Sequence, residues 1–197
     1  LPDTQVLLFS PVGAPEAKAM PVNTSRPSMT VSRALFVKVM HQYESLSYRL
    51  TLLEIQKLMY FLQEAGEPMR LRFGAGLYGP YAPNLNKVLE RMEGHLIRGY
   101  GDSQKPDTEI ELLPDAVKEA NSFLKEHPLP IARVNRVSDL IQGFETPYGM
   151  ELLSSVHWVC THNMPKATMP EAAIESVHGW NERKQKMFRS EHIRVAY

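Results

Sequence analysis

Three glycines are spaced as a phosphate cradle would space them. Gly74-Ala75-Gly76-Leu77-Tyr78-Gly79 has the pattern in which backbone N–H groups at a strand-to-helix turn reach a pyrophosphate. Pro80 follows the third glycine directly. A helix N–H would have to point at phosphate there, and proline has none. Tyr81, Ala82 and Pro83 come next, and no second parallel strand ending in a ribose-binding acid is evident. The segment therefore reads as a glycine-rich turn, and no cofactor is expected.

Other reactive residue types give no constellation. His157 and His162 are five apart, which places them on different faces of a helix, and no glutamate completes a zinc-protease pattern. Cys160 lies beside Trp158 and Val159 and reads as a buried, inert thiol. Ser154 and Ser155 fall inside a helix instead of on a strained nucleophile turn. Glu90 with Glu93, and Glu109 with Glu111, are spaced to share a helix face and a strand face. Glycoside hydrolysis needs two carboxyls across a cleft, so solvated faces are the plainer reading. No catalytic residue and no metal ligand is predicted.

An aromatic, glycine-rich turn is harder to dismiss. Phe73, Tyr78, Tyr81 and Tyr100 gather with Gly74, Gly76, Gly79, Gly99 and Gly101, and with Arg72 and Arg98. Tyrosine and arginine are enriched where proteins grip partners, and loops carry binding residues more often than cores do. The competing reading, that Tyr78 and Tyr81 close the core over a turn, stays open. Further on, Arg183, Lys184, Lys186 and Arg189 stand near Trp180 and Phe188. Such a helix could touch nucleic acid. A solvated helix whose aromatics pack inward is favoured, because 22 basic residues balance 22 acidic ones and leave no bulk pull toward phosphate.

The elements that must position these residues are mainly helical. Residues 1–28, with Pro2, Pro11, Pro15, Pro21 and Pro27, read as a linker or arm in which Val6–Phe9 could form a short strand. Residues 29–197 read as one domain. Thr30 caps a helix carrying Leu35, Phe36, Val39 and Met40. Thr51 with Glu54 makes a capping box for an amphipathic helix that Gly66 stops. Met69–Phe73 is predicted as a short strand, 83–93 as a helix, and Glu109–Leu113 as a strand. Helices follow from Pro114 to Lys125, through Ile131–Ile141, and from Pro147 behind a Thr146 cap. Met169–Tyr197 breaks at Gly179 and Asn181 into two or three short helices. The fold class is mainly α: a single compact multi-helix domain with two or three short β-strands.

Composition bounds the rest. The chain has 197 residues, 43% hydrophobic and 22% charged, which suits one sizeable core. A single cysteine permits no internal disulfide and fits a reducing, cytoplasmic setting. No apolar run approaches a membrane span, so no membrane partner is expected.

Leu50–Gly66, Tyr78-Gly79-Pro80-Tyr81-Ala82-Pro83-Asn84-Leu85, Glu93-Gly94-His95 and Arg98-Gly99-Tyr100-Gly101-Asp102 together resemble the C-terminal, toxin-binding domain of the DarG antitoxins. Trp180-Asn181-Glu182-Arg183-Lys184 adds a weaker likeness. The resemblance covers about residues 30–197. It implies a macrodomain upstream, with 1–28 as the connector, and no enzyme activity in this stretch. It implies one protein partner in a heterodimer, a DarT-type toxin that ADP-ribosylates thymidine in single-stranded DNA. A blocker could fill that toxin's DNA groove with aromatic and acidic side chains. The contact set implied is Arg72, Tyr78, Tyr81, Glu90, Glu93, Arg98, Tyr100 and Asp102. Direct nucleic-acid binding is not expected; the alternative function is a helical nucleic-acid-binding module.

Overall fold

A computed structural model describes residues 7, 22–47, 49–127 and 131–197. Among them are nine helices and two small antiparallel sheets of two strands each. The mainly α class holds, with four short strands where two or three were expected. Of the expected arm, Leu7 and residues 22–28 are described, and the Val6–Phe9 strand otherwise lies outside the described residues. Residues 22–28 lie against the domain: Thr24 is 2.9 Å from His95, and Arg26 pairs with Glu119 at 2.6 Å.

Helix α1, Val31–Glu44, starts at Thr30, whose hydroxyl accepts from the Arg33 N–H. Helix α2, Leu52–Glu64, begins with the predicted capping box. The Glu54 carboxylate accepts from the Thr51 N–H at 2.8 Å and from its hydroxyl at 2.7 Å. An amphipathic α2 was expected, yet Glu54, Gln56 and Lys57 are buried along with its apolar residues. Helix α2 is the central helix, so its polar face meets protein instead of water.

The Met69–Phe73 strand does not form. The Gln63 side-chain amide bonds both the N–H and the C=O of Leu71, satisfying backbone groups that a ladder would otherwise take. The ladder lies one step on, within the glycines. Strand β1, Gly74–Gly76, pairs with β2, Gly79–Tyr81, across a Leu77-Tyr78 turn. Helix α3, Leu85–Met92, follows. Strand β3, Ile97–Arg98, pairs with β4, Glu111–Leu112. The expected strand 109–113 is shorter because Glu109 bridges to Thr51 instead.

Helices α4, Pro114–Lys125, α5, Ile131–Ile141, and α6, Pro147–Thr161, match their signals. Helices α7, Pro170–His178, α8, Glu182–Met187, and α9, Ser190–Ala196, complete the chain. Helix α6 serves two cores. Met150 and Leu153 join the main cluster around α1 and α2. Leu152, Val156 and Val159 join a smaller one with Val177, Phe188 and Ile193 from α7 to α9. No described helix is long and apolar enough to cross a membrane.

Candidate functional site

The glycine hairpin sits on α2 and α6 and is fastened from several sides. Gln56 of α2 clamps Ala82, accepting from its N–H at 3.0 Å and donating to its C=O at 3.4 Å. Lys57 donates to the Pro80 C=O at 2.8 Å. From the C-terminal helices, the Trp180 indole N–H donates to the Gly76 C=O at 3.0 Å, and Asn181 to the Leu77 C=O at 3.2 Å. Gly79 has φ +92°, and a Cβ there would lie 2.9 Å from Ser155 Oγ. The glycine serves a left-handed turn and close approach to α6.

Beneath the hairpin lies a buried polar cluster that sequence spacing could not assemble. Lys184, fully buried, donates to Glu151 at 2.7 Å and to Ser155 Oγ at 2.9 Å. Arg183 donates to the same carboxylate oxygen at 2.5 Å. One carboxylate therefore answers two cations. Burial pulls Lys57 down from its ordinary 10.5 to about 7, with nearby Lys184 adding to the fall and Glu151 opposing it. Burial also lowers Lys184, while Glu151 holds it up. The 183–189 segment is therefore not simply a solvated face. Its aromatic Phe188 packs inward as expected, but Lys184 goes with it. The runs Ser154-Ser155 and Arg183-Lys184 were visible in sequence; their meeting across some 30 positions was not.

Beside the hairpin a groove of about 80 Å³ is lined by Leu52, Leu53, Gln56, Tyr78, Tyr81 and Asn86, closed off by Gln104 and Pro106. The Tyr78 ring is held by the Arg183 guanidinium at 4.6 Å. Tyr81 is 38% exposed, and its hydroxyl accepts from Asn86 at 3.1 Å. The groove thus has two tyrosine rings in its lining, Tyr81 the more exposed, with the Gln56, Asn86 and Gln104 amides beside them.

The other predicted contact residues take varied positions. Arg72 is exposed, next to the Asn84 clamp on its N–H. Glu90 is exposed and pairs with Lys87 at 3.0 Å. Glu93 turns out of α3 and accepts from the Gly99 and Tyr100 N–H groups at 3.1 Å each, so it shares no helix face with Glu90. Arg98 faces Glu111 across the β3–β4 pair at 4.0 Å. Tyr100 is 3% exposed. Burial raises its phenol above the usual range, with Glu90 and Tyr81 adding to that. Asp102 is exposed. Only Tyr78 and Tyr81 of this set line the groove.

Among the described residues the buried carboxylates all have partners. Glu54 accepts from Thr51 and from Tyr43 at 2.5 Å. Glu67 accepts from Ser32 at 2.8 Å and from Arg133 at 2.6 Å. Glu151 is held as above. Among the described residues no three His, Cys, Asp or Glu side chains come together to hold a metal. Cys160 is a free, half-buried thiol whose pKa burial raises.

No protein-family model matches the chain. Over all 197 residues it is 40% identical to a DNA ADP-ribosyl glycohydrolase of Thermus aquaticus, covering 53% of that protein. Two proteins of the same name, from Mycobacterium bovis and Mycobacterium tuberculosis, are each 33% identical across the full chain, which covers 58% of each. The chain thus spans about half the length of the curated relatives it matches.

These matches correct the expectation drawn from the resemblance. The relatives are named for hydrolysis of ADP-ribose on DNA, and they match this chain from end to end. The assignments as a toxin-binding antitoxin domain, an inhibitor of a DarT-type transferase and a non-enzyme are withdrawn, and the helical nucleic-acid module gains no support. The physical reason lies in the motif residues. Gly79, Glu93, Gly99 and Tyr100 shape turns, cap backbone and fill the core. A pattern built from such residues reports a fold and says little about what the fold binds.

Proposed function

We propose that this chain takes part in the hydrolytic removal of ADP-ribose from DNA, the activity for which its relatives are named. The observation that carries this reading is the 40% identity over the whole chain to the Thermus aquaticus protein. The reaction breaks a glycosidic bond, with water arriving at the anomeric carbon, and it calls for a group that can accept or donate a proton. Glu54, Glu67 and Glu151 are committed to internal hydrogen bonds, so none of the three is placed for that task. The chain's contribution on this reading is substrate seating. The exposed Tyr81 ring at the groove is the surface on which a base of the modified nucleotide stacks.

The test is an oligonucleotide carrying ADP-ribose. It is incubated with this chain, with the remaining half of the Thermus aquaticus relative, and with both, while free ADP-ribose is followed by chromatography. The expected result is faster release with both pieces together than with the remaining half alone. Tyr81→Ala is expected to raise the KM about tenfold, in line with about 1–3 kcal/mol for one stacked base, with an unchanged melting temperature. No release in any mixture containing the chain, or release at the same rate without it, refutes the proposal.

A further inference from the structure

A second cavity, of about 150 Å³, opens where α2, α5 and α6 meet. Its apolar walls include Phe61, Val137 and Leu140, and its polar groups are Glu64, Arg136 and His157. The groove beside the hairpin shares none of these residues.

The protons at this cavity can be assigned from hydrogen bonds. Tyr60, fully buried, has its hydroxyl 2.7 Å from His157 Nδ1. Burial raises the Tyr60 phenol and lowers the His157 imidazole, so the phenol keeps its proton and donates it to Nδ1. A neutral imidazole that accepts at Nδ1 carries its own proton on Nε2. No partner for Nε2 occurs among the described residues, and His157 lines the cavity. The Phe61 ring meets the imidazole edge to face at 5.7 Å, which fixes its plane.

Charge at the cavity follows the same accounting. Glu64 faces His162 Nε2 at 3.4 Å. The Thr161 hydroxyl donates to the His157 C=O at 2.6 Å, so its oxygen is free to accept from His162 Nδ1 at 2.7 Å. Both nitrogens of His162 face acceptors, and the Trp158 ring stacks on it at 4.2 Å. Glu64 also lines the cavity, on the side of His162. Arg136 makes one long bond, 3.4 Å, to the Ala65 C=O, and no carboxylate pairs with it among the described residues. Arg136, exposed at the rim, and His157 thus line the cavity together with Glu64 and its apolar walls.

We propose that this cavity binds a small carboxylic acid with an apolar body. The carboxylate lies on Arg136 and His157 Nε2–H, and the body lies against Phe61, Val137 and Leu140. A cavity of roughly 150 Å³ holds a single benzene ring, so benzoate is the probe. Arginine recognises a carboxylate through paired N–H donors, and the apolar walls supply the remainder.

The experiment titrates the intact chain with benzoate and with its uncharged counterpart benzamide, following both the melting temperature and the shifts of aromatic NMR resonances. Saturable benzoate binding is expected, about tenfold tighter than benzamide. Arg136→Gln is expected to weaken benzoate about tenfold, the value of one charge-assisted contact, while leaving benzamide binding and the melting temperature of the free protein unchanged. Equal binding of the two probes, an Arg136→Gln variant that binds benzoate as the wild type does, or no saturable binding of benzoate would each overturn the site.

Discussion

Lys57→Met should make this protein more stable, and by an amount that depends on pH. Lys57 is 2% exposed and sits beside Lys184, with the Pro80 C=O as its hydrogen-bond acceptor. Its fall from 10.5 to about 7 is worth about 5 kcal/mol at 1.36 kcal/mol per pH unit. The sign follows from proton counts. Between pH 7 and 10.5 the unfolded chain holds the proton and the folded chain does not, so stability rises with pH across that window. The penalty is complete below pH 7 and gone above 10.5. Methionine has a similar length and no charge, so it fills the same space. It leaves the Pro80 carbonyl unpaired, which costs about 1–2 kcal/mol. The net gain is about 3 kcal/mol at pH 6. Between pH 7 and pH 9 the wild type recovers about 2 kcal/mol from this one group, and the variant does not. Urea unfolding followed by circular dichroism at pH 6, 7, 8 and 9 measures both curves. A gap between them that stays constant with pH, or a variant less stable than wild type at pH 6, refutes the reasoning.

The same cluster yields two more expectations. Glu151→Gln removes the carboxylate shared by Lys184 and Arg183, and breaking a buried pair typically costs about 3–5 kcal/mol; urea unfolding at pH 7 should show a loss in that range, eased as pH rises and Lys184 sheds its proton. Gly79→Ala meets Ser155 Oγ at 2.9 Å and keeps φ at +92°; a loss of about 2 kcal/mol is expected from strain and overpacking, and a melting curve identical to wild type would contradict the close packing of the hairpin on α6.

Much of the helical framework was legible locally. Thr51 and Glu54 announce α2 because both halves of a capping box lie within one turn. Thr146 with Pro147 announces α6 in the same way, and Pro114 announces α4. Each of these signals needs only neighbours in sequence. The strands were less legible. The 69–73 segment has strand-forming residues, but Gln63 supplies its partner, and no local pattern reveals that a side chain will stand in for a strand. The site was legible in part: Tyr78 and Tyr81 could be picked out by type and setting, whereas Gln104 and Pro106 at the same groove carry no signal at all.

The histidines show the limit in another way. Five residues of separation placed His157 and His162 on different faces of one helix. Yet both rings come within 3.5 Å of the Tyr60 hydroxyl, which the neighbouring α2 brings to the end of α6. Face assignment from spacing says nothing of a long side chain reaching in from another helix.

By itself, then, the sequence determined where most helices start and stop, that the class is mainly α, and that a turn falls within 74–79. These follow from backbone propensity, capping and the missing N–H of Pro80, all of which act over a few residues. Tertiary structure alone decided that α2 is buried on its polar side and that Lys57 lies with Lys184 and Glu151 under the hairpin. It alone decided that Tyr100 is core while Tyr81 is exposed. Those outcomes depend on which surfaces meet across some hundred residues of chain, and burial is settled only when they do.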